Sequence, residues 1–166
     1  MWRALVSLIL LISTGAFAAD ANLAKPAFKK LMQLQGEWAG NDADGKPVHS
    51  SFKPVVSDTT LMETLSPSGM EEMLSLYTLD GDGIQVSHFC PTNNQPRMRA
   101  VPTSADPQEL DFHFTGAGNL ADVSVGHQHR LVIHFEDANH ITETWTWHHG
   151  DHDMPMVFTL TRQPKH

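Results

Sequence analysis

The strongest constraint on this chain is its punctuation. From Gly36 onward, extended-prone runs are cut at short intervals by turn-forming residues, at Asp42-Ala43-Asp44-Gly45, Ser57-Asp58, Pro67-Ser68-Gly69, Asp80-Gly81-Asp82-Gly83 and between Pro91 and Pro96. Aspartate and glycine tolerate the positive φ that tight antiparallel connections need, so the Asp80 to Gly83 cluster is a strong hairpin signal. The runs fall at 47–56, 59–66, 70–79, 84–90, 97–101, 108–115, 128–136, 140–149 and 155–162. With the run that opens at Gly36 they make about ten strands, at spacings typical of an all-β sandwich or barrel. No segment after residue 35 carries a convincing helical period, and 118–125 reads as loop. The one helix expected lies earlier, over 26–34, where Phe28, Leu31 and Met32 stand at helical spacing behind Pro26, a residue suited to a first turn. Such a helix would lid one end of a barrel.

Alternation within the runs predicts which side chains face inward. Leu110, Phe112 and Phe114 share one face and leave His113 on the other. Leu131, Ile133 and Phe135 do the same to His134, so both histidines are expected outside. Ile84, Val86, His88 and Cys90 share a face, which makes His88 the histidine expected in the core. Ile141, Glu143, Trp145 and Trp147 also line up, and Glu143 would then be a carboxylate in an apolar setting. Burial would raise its pKa unless a partner such as Arg97 or Arg99 neutralised it.

Residues 1–18 need a separate reading. Arg3 precedes an apolar run, Ala4 to Ile12, and then Ala16-Phe17-Ala18, the layout of a secretory signal peptide cut after Ala18. That run is too short to span a bilayer comfortably, and no later segment nears the roughly 20 apolar residues that a membrane helix needs. The expected division is a signal peptide over 1–18, a segment with the short helix over 19–35, and a barrel over 36–166. The location expected is periplasmic or secreted, with no membrane contact after removal of the leader. A formal charge of -8 argues against a nucleic-acid or anionic-membrane surface, which needs clustered basic residues. There are 11 histidines and one cysteine, so Cys90 has no disulfide partner within the chain. It is a small buried residue, a link to a second chain in a homodimer, or a reactive thiol.

Trp38, in Leu34-Gln35-Gly36-Glu37-Trp38-Ala39-Gly40, is too large to bury in a small β domain unless something closes over it. Arg162, in Thr159-Leu160-Thr161-Arg162, can lay its guanidinium across the indole if the first and last strands are neighbours. That contact would close the barrel and remove the open strand edges. A Gly-x-Trp on the first strand with an arginine on the last resembles the calycin superfamily: lipocalins, fatty-acid-binding proteins and nitrobindin-like short barrels. The run from Gln33 to Gly40, with Asn94-Gln95-Pro96-Arg97-Met98, most resembles an uncharacterised lipocalin-like family of secreted bacterial proteins. The resemblance implies a single antiparallel up-and-down β-barrel of about ten strands, with Gly36, Trp38 and Arg162 as closure residues. It does not fix a ligand, because this fold hosts unrelated ones.

Two constellations carry candidate chemistry. The first is a pocket built from His88, Arg97, Arg99, Glu143 and Trp145, with Trp147, Phe89 or Phe112 as further wall. A few polar groups among apolar walls suit one small, partly apolar ligand, and an arginine could hold an anionic head group bidentately. The alternative is an internally satisfied polar cluster that only fills the barrel. The second constellation is His148, His149, His152, Met154 and Met156, whose imidazole and thioether donors suit copper or zinc. Against it, His148 and His149 point to opposite faces if the strand persists, and Gly150 to Asp153 is also an ordinary polar turn. Nitrobindin-like barrels hold haem through a late histidine, but that family's histidine motif does not match His134, His148 or His149, and the sequence requires no cofactor. Catalysis is the weakest case: Cys90 and His88 lack a third orienting group, and no Gly-x-Ser-x-Gly, phosphate loop or His-Glu-x-x-His is present.

Overall fold

The computed structural model describes residues 22–164, so the leader expected over 1–18 lies outside the described residues. One helix, α1 (Ala24–Met32), precedes ten strands: β1 (Gly36–Asp42), β2 (Pro47–Val55), β3 (Thr60–Pro67), β4 (Met73–Asp80), β5 (Gly83–Phe89), β6 (Gln95–Ala100), β7 (Glu109–Gly118), β8 (His127–Phe135), β9 (His140–His149) and β10 (His152–Arg162). Every strand pairs antiparallel with its sequence neighbours, and β1 also pairs with β10, so the sheet closes as an up-and-down barrel. The segment after Gly118 is loop, as the sequence indicates.

The helix begins two residues before the predicted start. The Asn22 side chain accepts from the Ala24 N–H at 3.0 Å and supplies a partner that Pro26 could not mark. Ala24, Ala27, Phe28 and Leu31 are buried on its inner face. Asn22 also donates to the Gly81 carbonyl, which fixes α1 at the end of the barrel where the β4–β5 turn lies.

The seam forms between Trp38 and Arg162, which are paired residues of β1 and β10. The Arg162 guanidinium carbon sits 4.3 Å from the indole centroid. Its nitrogens donate to the carbonyls of Ala138 at 3.0 Å, Gln35 at 2.8 Å and Gln33 at 2.8 Å. The Trp38 indole N–H donates to the Leu34 carbonyl at 2.8 Å, tying the strand to the turn after the helix. Arg162 therefore satisfies backbone carbonyls where the helix stops as well as covering the ring. Gly40 is required at the same seam, because a Cβ there would collide with the Thr159 carbonyl across the strand pair.

Inward positions follow the alternation. Trp38, Phe52, Leu61, Tyr77, Ile84, Phe112, Leu131, Ile133 and Trp145 are each no more than 2 % exposed. The middle of the barrel is filled with side chains rather than hollow, which moves any ligand volume toward an end.

Candidate functional site

Half-way along the barrel the filling becomes polar. Glu63 and Glu143 are both fully buried and titrate in each other's field. Glu63, on β3, accepts from the Tyr77 hydroxyl at 2.6 Å and from the Ser50 hydroxyl at 3.0 Å. Glu143, on β9, accepts from the Trp145 indole N–H at 3.1 Å, while its Oε1 has no partner. Burial pushes both carboxyls above the ordinary range, and for Glu143 the neighbouring Glu63 charge adds to it. Glu63 keeps two hydroxyl donors and Glu143 only an indole, so the proton resides on Glu143. Burial, and then the two glutamates, raise the Tyr77 hydroxyl well above 10.0.

His88, on β5, stands opposite Ser75, which in turn stands opposite Glu63, and it is fully buried. Its Nδ1 is 3.0 Å from the Ser75 hydroxyl and its ring is 4.5 Å from that of Trp145. Its Nε2 has no partner, and burial lowers its pKa to about 4. The imidazole is therefore neutral at neutral pH.

The arginines expected beside Glu143 are elsewhere. Met98 takes the inward position on β6, and Arg97 and Arg99 fall on the opposite face. Arg99 pairs with Asp80 at 2.9 Å and with Asp82 at the β4–β5 turn. The Arg97 side chain lies against Gly116 on the neighbouring strand and is exposed. The partner of Glu143 is another carboxyl, Glu63, which the sequence analysis did not single out. Phe89 is 39 % exposed and is not wall, since the inward positions of β5 are occupied by Ile84, Val86 and His88. Of the five expected pocket residues, the fold brings His88, Glu143 and Trp145 together, as a packed polar layer.

Beyond that layer the barrel opens into a cup of about 420 Å³, lined by Met70, Met73, Cys90, Pro91, Thr92, Gln128, Trp147, Met154 and Met156. The strands deliver these residues by the same alternation. Trp147 continues the Glu143-Trp145 face of β9, Met154 and Met156 stand opposite Trp147 and Trp145 on β10, and Gln128 stands opposite Trp147 on β8. The loops after β3 and β5 contribute Met70 and the Cys90 to Thr92 rim. Gly126 lets the backbone approach the Trp147 ring, which a Cβ there would strike. The walls are apolar apart from Thr92 and Gln128; Gln128 is 3 % exposed, and its buried Oε1 has no partner among the described residues. Cys90 is half-buried, and its Sγ is 2.8 Å from the Thr92 hydroxyl; it makes no hydrogen bond to His88.

The expected metal run is divided by the strand geometry. His149 pairs with His152, and Met154 pairs with Trp147, on the cup side, whereas His148 pairs with Asp153 on the other side. The His148 Nδ1 is 2.6 Å from the Asp153 carboxylate. His148 instead meets His127 and His129, whose ring centroids lie 5.5 and 4.9 Å away, and the His127 Nε2 is 3.0 Å from the His129 Nδ1. Burial, and then the adjoining imidazoles, lower the His129 pKa. His127 and His129 were not picked out because a register shift between Gln128 and Arg130 breaks the alternation used to place them. Among the described residues no three His, Cys, Asp or Glu side chains are grouped to hold a metal ion.

These features define a closed ten-stranded antiparallel up-and-down barrel, with a helix at one end and an apolar cup at the other. Among solved structures it is similar to Rv2717c from M. tuberculosis, with a TM-score of 0.60 and 13 % identity over 85 % of this chain and 99 % of that one. At that identity the likeness concerns the fold. Comparison with protein-family models and with curated proteins finds no match.

Proposed function

We propose that this protein is a lipocalin-like binder that takes a small, largely apolar molecule in the cup at the open end of the barrel, without chemistry on it. The observation that carries the reading is the cup itself, about 420 Å³ with walls of methionine, tryptophan and proline. Ligand sites of this kind are concave, mostly apolar and equipped with a few orienting polar groups. Here Gln128 is the orienting group, since its buried carbonyl oxygen has no donor within the protein. The ligand is expected to be neutral and to carry a hydroxyl or N–H. Among the described residues no lysine or arginine lines the cup, so a carboxylate head group would find no counter-charge there. The reading carries an extracytoplasmic setting with it, and a mature exported protein that begins at Ala19 is the expected result of N-terminal sequencing.

Titration with the apolar fluorophore N-phenyl-1-naphthylamine tests the proposal. Saturable binding is expected, weakened at least about fivefold by Trp147→Ala and abolished by Met156→Trp, which fills the volume. Absence of binding, or binding indifferent to both substitutions, overturns it. Native mass spectrometry of protein purified from its own host would then identify the natural occupant.

A further inference from the structure

The cup concentrates sulfur. Met70, Met73, Met154 and Met156 line it together with Cys90, which places four of the eight methionines and the single cysteine of the chain around one volume. Methionine is a general filler of irregular apolar space, and that alone would explain one or two of them. The arrangement is more selective. Two of the thioethers come from alternate positions of β10, a third from the first residue of β4, and the fourth and the thiol from two different loops. Five sulfur-bearing side chains from four separate segments thus line one opening, and among the described residues no imidazole or carboxylate lines it with them.

Thioethers and thiolates are soft donors that select copper(I) and its class over hard or divalent ions. We infer that the cup is a site for one soft monovalent cation of the copper(I) class, held by Cys90 and by methionine thioethers. The inference rests on the reading of the cup as an accessible binding volume and names a second class of occupant for it.

Charge balance favours a monovalent ion. On binding, the Cys90 thiol gives its proton to solvent, a sulfur–metal bond forms, and no electron changes hands. One thiolate and one monovalent cation are neutral together, a state that an apolar wall tolerates, whereas a divalent ion would leave an unpaired charge buried. The Thr92 hydroxyl, 2.8 Å from the sulfur, is placed to donate to the thiolate. Trp147 lines the same volume, so its fluorescence reports the arrival of a metal ion. Met70 and Met154 are each 50 % exposed, so donors stand at the mouth as well as inside.

The test is an anaerobic titration of the reduced protein with copper(I), buffered by a chromogenic copper(I) chelator, and in parallel with silver(I), which undergoes no redox change. One equivalent should bind, with release of about one proton and quenching of tryptophan fluorescence. Cys90→Ser and the volume-conserving pair Met154→Leu, Met156→Leu should each weaken binding at least about tenfold. The triple variant His148→Ala, His149→Ala, His152→Ala should retain wild-type affinity, and zinc should not compete. Failure to retain copper(I) or silver(I) against the chelator overturns the inference, as does retention that only the histidine variant removes. N-phenyl-1-naphthylamine binding, measured on the same preparations, separates the two readings. A cup that takes the fluorophore but not the ion leaves the apolar-ligand reading standing alone, and a cup that takes neither ends both. The Leu pair keeps side-chain bulk, so its thermal midpoint should match the wild type and exclude misfolding as the cause.

Discussion

The two ends of the barrel are built from the same strands by the same alternation, yet they are finished in opposite ways. At the helix end the chain packs over the barrel interior and leaves only an outer, more polar hollow of about 520 Å³ beside Lys30, Asp106 and Arg162. Phe28 and Leu31 of α1 enter the core, Trp38 is buried under them, and Arg162 ties together carbonyls from the turn after the helix and from the β8–β9 connection. At the other end no helix covers the strands among the described residues, and methionines, Gln128 and Trp147 stand around a cavity. Backbone groups that end in the interior must find partners, and the helix end provides them through one arginine. Stability is therefore expected to reside at one end and binding at the other, with the polar layer of Glu63, Glu143 and His88 between them.

The sharpest way to break that division is to damage the helix end and watch the cup. Trp38→Ala should cost about 3–5 kcal/mol in denaturant-derived stability, the usual loss for a buried aromatic that leaves a cavity. The indole is 1 % exposed, packs edge-on against Phe52 and holds the Leu34 carbonyl, so the site has little freedom to collapse. Fluorophore affinity at the cup should remain within about twofold of the wild type under conditions where the variant stays folded. A large loss of affinity would mean that the ends are mechanically coupled through the filled middle.

The middle layer makes the next two predictions, and they run in opposite directions with pH. His88 has a folded pKa of about 4 against an ordinary value of 6.5, because burial disfavours its charged form. The unfolded chain therefore binds the proton first. The stability contributed is full above the unfolded value and is lost as pH falls from about 6.5 toward 4, by about 3 kcal/mol in all. Comparing wild type with His88→Gln between pH 7 and 4 should show the wild type losing about that much more. Equal acid slopes would mean that water reaches His88 from the cup. Glu143 behaves the other way. Its folded pKa is raised, first by burial and then by Glu63, so its contribution is present below the unfolded carboxyl range and lost as pH rises through the folded value. Glu143→Gln keeps the shape and an acceptor for the Trp145 indole N–H but cannot ionise. It should be more stable than the wild type at alkaline pH by about 1–3 kcal/mol, the cost of an unpaired buried polar group, with little difference near pH 5. Urea midpoints across that range provide the measurement.

How much of this was legible in the sequence varied with distance along the chain. The closure contact was readable over more than a hundred residues because an indole and a guanidinium at the two ends of a strand set have few other ways to be buried together. The ten strands were readable from their turns, and the inward positions of His88 and Glu143 from a period of two. The partner of Glu143 was not readable. Alternation gives a side chain its face but not its neighbour across the interior, and Glu63 sits on a strand four positions around the closed sheet, with Tyr77 and Ser50 on its flanks. The arginines misled for a related reason, since β6 is short and Met98 rather than its neighbours takes the inward place. The cup was hidden because its lining comes from strand ends and loops, where the period of two lapses and only closure brings Met70, Cys90 and Met156 to one place.

The smallest expected effect is also the most discriminating for the comparison of the two ends. Replacing Met154 and Met156 by leucine keeps volume and apolarity, and substitutions of this kind usually cost less than about 1.5 kcal/mol even in a packed core. Neither position is fully buried, Met154 being 50 % exposed, so the change in stability should be below about 1 kcal/mol. Leucine is branched and carries no sulfur, so the same pair should alter what the cup accepts while leaving the urea midpoint almost unmoved. A loss of several kcal/mol would show that the methionines support the barrel as Trp38 does. The cup would then be part of the core, and the division between a closed end that stabilises and an open end that binds would have to be abandoned.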